Sequence, residues 1–140
     1  LDDNYPGNAR EVLKVYNRIL KCCYNEELTD EQIKKLAEQN QKLFDEQLLE
    51  KNPLDQYVEK LKKDIKDYKD KKTTIANIAI QDLAEAEREE RGGYKFCNLL
   101  VSYIVKDTKG LKTTNEKYYL REDDQGRWKI LFWELTYKTF

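Results

Sequence analysis

The sequence predicts an α+β fold in which three N-terminal helices pack on a four-stranded antiparallel sheet. Apolar residues of the first half recur every three or four positions, as on the buried side of amphipathic helices. After residue 73 they alternate instead, and β-branched and aromatic residues replace Lys, Glu and Leu. Because 140 residues is the size of one domain, both halves are expected to share one core over residues 1–140.

Capping signals set the three predicted helices, which cover about residues 8–24, about 30–50, and 53 onward. The signals are Asn8 with Glu11, Thr29 with Gln32, and Asn52 with Pro53. Proline suits the start of a helix because the amide hydrogen that it lacks would have no partner there. The third helix then presents an apolar stripe of Leu54, Tyr57, Val58, Leu61, Ile65 and Tyr68.

Four strands are predicted after the helices: Thr74–Ile80, Tyr94–Lys106, Leu111–Glu122 and Arg127–Tyr137. Short turns that contain Gly separate the last three, so we expect the strands to pair in sequence as an antiparallel meander. Residues 82–93 are helical by propensity but end in Gly92–Gly93, which predicts an irregular or hairpin-forming connection. The expected core contains Val12, Val15, Tyr16, Ile19, Leu99, Val101, Trp128 and Ile130.

Charge and composition exclude several classes of function. The 26 basic and 27 acidic residues give a net charge of -1, which provides no long-range attraction to nucleic acid or to an anionic membrane. Mean hydropathy of -0.93 excludes a membrane span in this chain. The lysines of residues 60–72 alternate with acids at helix-pairing distances, which is typical of a solvated helix face rather than an anion-binding stripe.

Residue types that are absent from the sequence also exclude some kinds of catalysis and metal binding. The chain has no His, which removes the commonest general base and the commonest zinc ligand. The acids of residues 85–90 lack the alternating oxygen ligands of a calcium loop, so no metal and no cofactor is predicted. The chain has no Met either, and we expect that a segment carrying any targeting signal preceded Leu1.

Three cysteines, Cys22, Cys23 and Cys97, do not form a disulfide framework, since their number is odd and two are neighbours. One interpretation is that all three are reduced and at least two are buried as small hydrophobic side chains. The other is a single bridge from Cys97 to Cys22 or Cys23.

The closing hairpin Tyr118–Ile130 contains a G-x-W-x-I pattern at Gly126, Trp128 and Ile130. Together with the order of elements and the Tyr-rich first helix, it resembles the nuclear transport factor 2-like superfamily. The resemblance implies that the sheet is curved and wraps a helix into a cone. That superfamily contains isomerases, dehydratases, binding and transport modules, and association domains, so the fold alone does not select a function.

Catalysis of the kinds that the resemblance implies is not expected. The isomerases need a carboxylate base facing a Tyr and a protonated acid inside an apolar pocket. No acid is predicted on an inward strand face of this chain, and the dehydratases use His, which is absent. The sequence therefore predicts no catalytic residue.

The opening segments Tyr5–Val12 and Tyr16–Lys21 are similar to those of a family of exported lipoproteins from gut Clostridia-like bacteria. This second resemblance implies export or attachment to the cell surface of a Gram-positive bacterium. A cytoplasmic location stays open as the alternative.

Two aromatic groups are candidate sites. Tyr16, Tyr103 and Trp128 are expected to point into the cone, where they would orient a small apolar ligand or simply fill the core. On the other sheet face, alternation predicts a row of Leu131, Trp133, Leu135 and Tyr137. That row is a candidate interface for a homodimer through the sheet, unless the chain's own terminus covers it or it is simply exposed.

Two functions fit these observations. The first is a non-catalytic module of an exported or cell-surface protein that binds a protein, a peptide or a small apolar ligand. The alternative is a small isomerase-like or cyclase-like enzyme that uses the cone pocket. A deep cavity with a carboxylate of shifted pKa would favour the enzyme, whereas a cone filled by Tyr, Leu and Trp would favour the module.

Overall fold

The computed structural model describes residues 4–140 and has an α+β architecture, with helices first and strands after them. The helices of this part are α1 Ala9–Asn25, α2 Asp30–Gln41, α3 Glu46–Lys51 and α4 Leu54–Asp70. The strands are β1 Thr74–Ile80, β2 Glu87–Arg91, β3 Tyr94–Asp107, β4 Gly110–Glu122 and β5 Trp128–Thr136. No helix of the described residues is long and apolar enough to cross a membrane.

The predicted helix starts agree with the structure because they depend on local hydrogen bonds. Asn8 Oδ1 accepts the Glu11 backbone amide at 2.9 Å, which caps α1. Thr29 and Gln32 form both bonds of a capping box at the start of α2. Pro53 is the N-cap of α4, one position earlier than the role predicted for it.

The predicted second helix over residues 30–50 is wrong, since it is two helices with an extended segment between them. Residues Leu43–Asp45 leave the helix and lie beside β5, with Phe44 opposite Ile130 in a parallel bridge. Ile130 N donates to Leu43 O at 2.8 Å, and Asp45 N donates to Ile130 O at 2.8 Å. These tertiary hydrogen bonds replace helical ones, and the described chain therefore has four helices rather than three.

The sheet is antiparallel, with the strand order β1-β3-β4-β5, so the predicted pairing of those four strands is confirmed. The predicted count of four is wrong, because β2 forms a fifth strand on the N-terminal half of β3. Its sequence is a run of five exposed charged residues, which has none of the apolar alternation by which strands are recognised. Gly92 and Gly93, with φ of 60° and 82°, make the two-residue turn of this hairpin.

A β-bulge in β5 decides which side of the sheet its aromatic residues face. Leu120 lies opposite Ile130 and Tyr119 lies opposite Phe132, so Leu131 is an extra residue in the ladder. The alternation reverses at that point. Trp133 consequently faces the helices, on the same side as Ile130, and packs against Tyr16.

The predicted outer row of Leu131, Trp133, Leu135 and Tyr137 is therefore wrong as a common face. Leu135 lies opposite Glu116, on the inner side with Trp133, and its side chain is exposed near the strand end. Tyr137 lies beyond the end of β5 and is fully exposed. Phe132, rather than Trp133, stacks on Tyr119 across the outer face at 4.2 Å.

The helices cover one face of the sheet, and the core lies between the two layers. Of the predicted core residues, Val12, Tyr16, Ile19, Leu99, Val101 and Ile130 are buried. Val15 and Trp128 are half-buried and pack against that core. The apolar stripe of α4 is buried at Tyr57, Val58, Leu61 and Ile65.

Both ends of β1 are fastened to α1 by side chains. Asn25 pairs with the backbone of Ile75 through two hydrogen bonds of 2.8 Å, in the manner of a neighbouring strand. At the other end, Arg10 donates to the carbonyl groups of Ile80 and Gln81. These bonds satisfy strand groups that would otherwise face the helical layer without partners.

A bidentate ion pair joins the Leu43–Asp45 segment to the sheet. Arg121 donates from Nε and Nη2 to the two Asp45 oxygens at 3.0 and 2.8 Å, and Asp45 is buried. Asp45 also caps α3 by accepting the Gln47 amide. Removing the Asp45 carboxylate would leave the largely buried Arg121 guanidinium without this charge partner.

We expect Asp45→Ala to lower the free energy of unfolding by about 3 to 5 kcal/mol, the range typical of breaking a buried pair. Urea denaturation measures this loss. The control is Glu89→Ala, which removes the partner of the exposed Arg91 and should change stability by less than about 1 kcal/mol. Equal effects of the two substitutions would contradict a structural role for the Asp45–Arg121 pair.

All three cysteines are free, as one of the two interpretations predicts, and Cys23 and Cys97 are buried. Burial raises the pKa of Cys23 to about 12, with a further contribution from Cys22. Burial also raises the pKa of Cys97. Buried thiols that stay protonated react slowly, because the thiolate is the nucleophile.

A thiol reagent should therefore modify Cys22 first in the native protein, since Cys22 is half-buried, and should reach Cys23 and Cys97 only on unfolding. Titration before and after adding denaturant, without reductant, tests this expectation. A single reactive thiol after unfolding would instead indicate a disulfide.

Candidate functional site

A cavity of about 490 Å³ lies between the helices and the inner face of the sheet. This volume is in the range of small-molecule sites. Many of the residues that line it are aromatic. The aromatic side chains on this inner side are Tyr16, Tyr24, Phe44, Tyr57, Tyr68, Tyr103, Tyr118 and Trp133.

Helical and strand periodicity bring these side chains to one place. On α1, Tyr16, Leu20 and Tyr24 are four residues apart and share a face. On α4, the lining residues Tyr57, Leu61, Asp64 and Tyr68 are three or four residues apart and also share a face. On β4, the lining residues Thr114, Glu116 and Tyr118 alternate along the strand.

Trp133 is the centre of an aromatic cluster at the cavity wall. Its ring stacks on Tyr118 at a centroid distance of 5.4 Å and lies 5.6 Å from Tyr16 and 6.2 Å from Phe44. Across the cavity, Tyr24 and Tyr68 stack on each other at 4.3 Å. The cluster exists because the bulge at Leu131 turns Trp133 inward and because Phe44 lies on the segment beside β5.

A buried chain of hydrogen bonds fixes the direction of two hydroxyl groups. Asn17 Nδ2 donates to Leu13 O at 2.9 Å, which leaves its Oδ1 to accept the Tyr103 hydroxyl. With that proton used, the Tyr103 oxygen accepts from the Tyr118 hydroxyl. The Tyr118 oxygen therefore keeps lone pairs for a further donor.

Both hydroxyl groups in this chain stay neutral. Burial raises the pKa of Tyr103 and of Tyr118 well above their ordinary values. The pair therefore acts through hydrogen bonds and not through charge.

Glu116 brings a carboxylate to this inner face. It lies on β4 between Thr114 and Tyr118 and is half-buried. Burial raises the pKa of the Glu116 carboxyl above its ordinary value of 4.5. The prediction that no acid lies on an inward strand face is therefore wrong. Glu116 lies two residues before Tyr118 and four before Leu120, and this alternation with inward-facing residues could have identified it.

Two further charged residues of α4 line the cavity, Asp64 and Lys60. Lys60 is exposed, whereas Asp64 is half-buried. Burial raises the pKa of Tyr68, and the Glu116 and Asp64 carboxylates add to the shift from nearby. Among the described lining residues, two acids thus face one exposed cation.

Two of the three predicted pocket residues, Tyr16 and Tyr103, line this cavity. Trp128 does not line it. Trp128 lines a separate depression of about 330 Å³ with Arg88 and Phe96. Its backbone oxygen accepts the Tyr5 hydroxyl at 2.6 Å. The sequence-based prediction did not include Trp133 or Glu116 among the lining residues. It missed Trp133 because of the bulge in β5, and it missed Glu116 because the alternation of β4 was not applied to it.

Over residues 4–140, no group of three or more His, Cys, Asp or Glu side chains is arranged to hold a metal ion.

Comparison with known proteins identifies a family but not an activity. A family model described as Domain of unknown function (DUF6715) matches residues 1–133. The curated proteins contain no significant match.

Glu116→Gln tests whether the inward carboxylate is held at an energetic disadvantage. Because its pKa is raised in the folded state, its contribution to stability is complete below 4.5 and is lost as the pH rises through the raised pKa. We expect the variant to be more stable than the wild type at about pH 7.5 and equally stable at about pH 4. Denaturation at both pH values measures the difference.

Glu134→Gln is the matched control, because Glu134 is an exposed acid on the adjacent strand that accepts the Tyr119 hydroxyl. It should give no gain at neutral pH. A Glu116→Gln variant that is less stable than the wild type at neutral pH would show that the carboxylate serves the fold instead.

Proposed function

We propose that this chain, which belongs to the DUF6715 family, is a non-catalytic module that binds a small molecule in the cavity between its helices and its sheet. The observation that carries the proposal is the cavity of about 490 Å³ with aromatic walls and an inward carboxylate. Polar groups reach it from both layers, Glu116 and Tyr118 from β4 and Asp64 from α4, and polar groups placed in a mostly apolar pocket orient a ligand.

Packing argues against a purely structural role for these aromatic residues. Protein interiors contain few voids larger than a water molecule, because an unfilled space forfeits contacts between its walls. Here Tyr16, Tyr118 and Trp133 pack together on one side, yet a large space remains next to them. Burial disfavours the charged form of the Glu116 carboxyl beside that space, and a ligand that pairs with it would offset this cost.

The proposal includes the nuclear transport factor 2-like fold, with a curved sheet forming a cone around α1. Helices that precede an antiparallel sheet, and a cavity between the two layers, support it.

The proposal also includes export to the cell surface. The burial of Cys23 and Cys97 is compatible with an oxidising environment, since protonated thiols inside the core are protected from oxidants.

A second candidate is the isomerase-like or cyclase-like enzyme, and Glu116 is the observation that favours it. A half-buried carboxylate beside Tyr118 provides the general base that such chemistry requires. The direction of the hydroxyl chain favours binding over catalysis. Tyr118 donates to Tyr103 and Tyr103 donates to Asn17, so neither hydroxyl donates to a developing oxyanion in the cavity.

Titration with the uncharged dye Nile red tests whether the cavity accepts a ligand. We expect saturable fluorescence with the wild type. Thr114→Trp should weaken dye binding by at least about tenfold, because Thr114 lies opposite Tyr103 and lines the cavity.

The matched control is Thr113→Trp, one residue earlier in β4, which lies opposite Ile104 and is exposed on the outer face. It adds the same indole and should leave dye binding unchanged. Absence of dye binding to the wild type, or equal loss in both variants, would contradict the proposed cavity site.

A further inference from the structure

The aromatic and charged residues that line the cavity favour one class of small molecule over others. We propose that the ligand is a small organic ammonium ion, whose apolar body contacts the aromatic rings and whose charge lies near Glu116 and Asp64. This inference rests on the proposed function, because it requires a ligand in the same cavity.

The aromatic rings are the first support. A cation is attracted to the negative face of an aromatic ring, and this attraction strengthens where water is excluded. Tyr24 and Tyr68 stack on one side of the cavity, and Trp133 lies with Tyr16 and Tyr118 on another. An alkylated ammonium group, which is weakly hydrated and apolar around its charge, fits such walls better than a compact inorganic cation.

Hydrogen-bonding groups are the second support. Where the donor and acceptor roles are determined, the cavity offers acceptors to a ligand rather than donors. Tyr118 has given its proton to Tyr103, and the Glu116 carboxylate accepts when ionised. Asp64 adds a second acceptor from α4. A ligand that supplies N–H or O–H donors next to its positive charge satisfies these atoms.

Charge is the third support. Glu116 and Asp64 line the cavity, whereas the cations among the described lining residues are limited to Lys60, which is exposed. No Arg of the described part lines it, although Arg is the side chain best suited to hold a carboxylate or phosphate. An anionic ligand would therefore face repulsion from two acids, and a cation would offset the desolvation of Glu116.

Displacement of Nile red by three probes of similar shape tests the charge of the ligand. The probes are choline, its uncharged carbon isostere dimethylbutanol, and the carboxylate dimethylbutanoate. We expect choline to displace the dye at about tenfold lower concentration than the alcohol does, and the carboxylate to be the weakest. Calorimetry with choline alone checks that displacement reports direct binding.

Variants assign the preference to the inward acid. Glu116→Gln should reduce choline affinity by about tenfold and leave the alcohol unchanged. Asp64→Asn is a second variant that should act in the same direction. Glu134→Gln removes the same charge from the outer face and should keep the wild-type order of the probes.

Each outcome decides between the two proposals. If the alcohol or the carboxylate displaces the dye as well as choline does, the ammonium inference is wrong, although the cavity still binds small molecules. If Glu134→Gln reduces choline affinity as much as Glu116→Gln, the preference is a general effect of charge and the assigned site is wrong. If neither the dye nor choline binds, both proposals fail.

Discussion

The parallel pairing of Leu43–Asp45 with Ile130 holds the helical layer against the last strand, and the cavity depends on it. It uses only two main-chain hydrogen bonds, but the bidentate pair of Asp45 with Arg121 supports them. Because the segment between α2 and α3 is fixed there, Phe44 is placed on the cavity wall next to Trp133. Asp45 of this segment also caps α3, and α4, which follows α3, supplies Asp64 and Tyr68 to the cavity.

The opposite edge of the sheet is fastened independently. Asn25 and Arg10 attach α1 to the two ends of β1, so the helical layer is held at β5 on one side and at β1 on the other. Between these attachments the layers meet through large aromatic rings whose hydroxyl groups engage one another, as Tyr103 and Tyr118 do. The two edges are thus joined separately, and the cavity lies between the layers.

Local rules predicted much of this fold, and contacts distant in sequence account for the rest. The start of α2 could be predicted because Thr29 and Gln32 cap it through bonds three residues apart. The break at residues 42–45 could not, since its partner Ile130 is more than 80 residues away. β2 lacks apolar residues and becomes a strand only because β3 offers a partner.

The candidate site shows the same limit at a finer scale. Tyr16 and Tyr103 were predictable as inward residues because their elements are regular there. One inserted residue, Leu131, reverses the alternation of β5, and it places Trp133 in the cavity instead of on the outer face. No property of the Leu131 side chain indicates a bulge. The inward position of Glu116, in contrast, could have been predicted from the alternation of β4 alone.

The charged hairpin strand β2 has a consequence for the behaviour of the chain in crowded solution. Within the described residues β2 pairs with β3 alone, so its other side presents open backbone amide and carbonyl groups. Such an edge is a template on which a strand from another molecule can add, which is the first step toward fibrillar aggregation. The consecutive side chains of Glu87–Arg91 are all charged and exposed, and an incoming apolar strand would have to desolvate them. The segment that contributes least to the core thus protects its own edge of the sheet from strand addition.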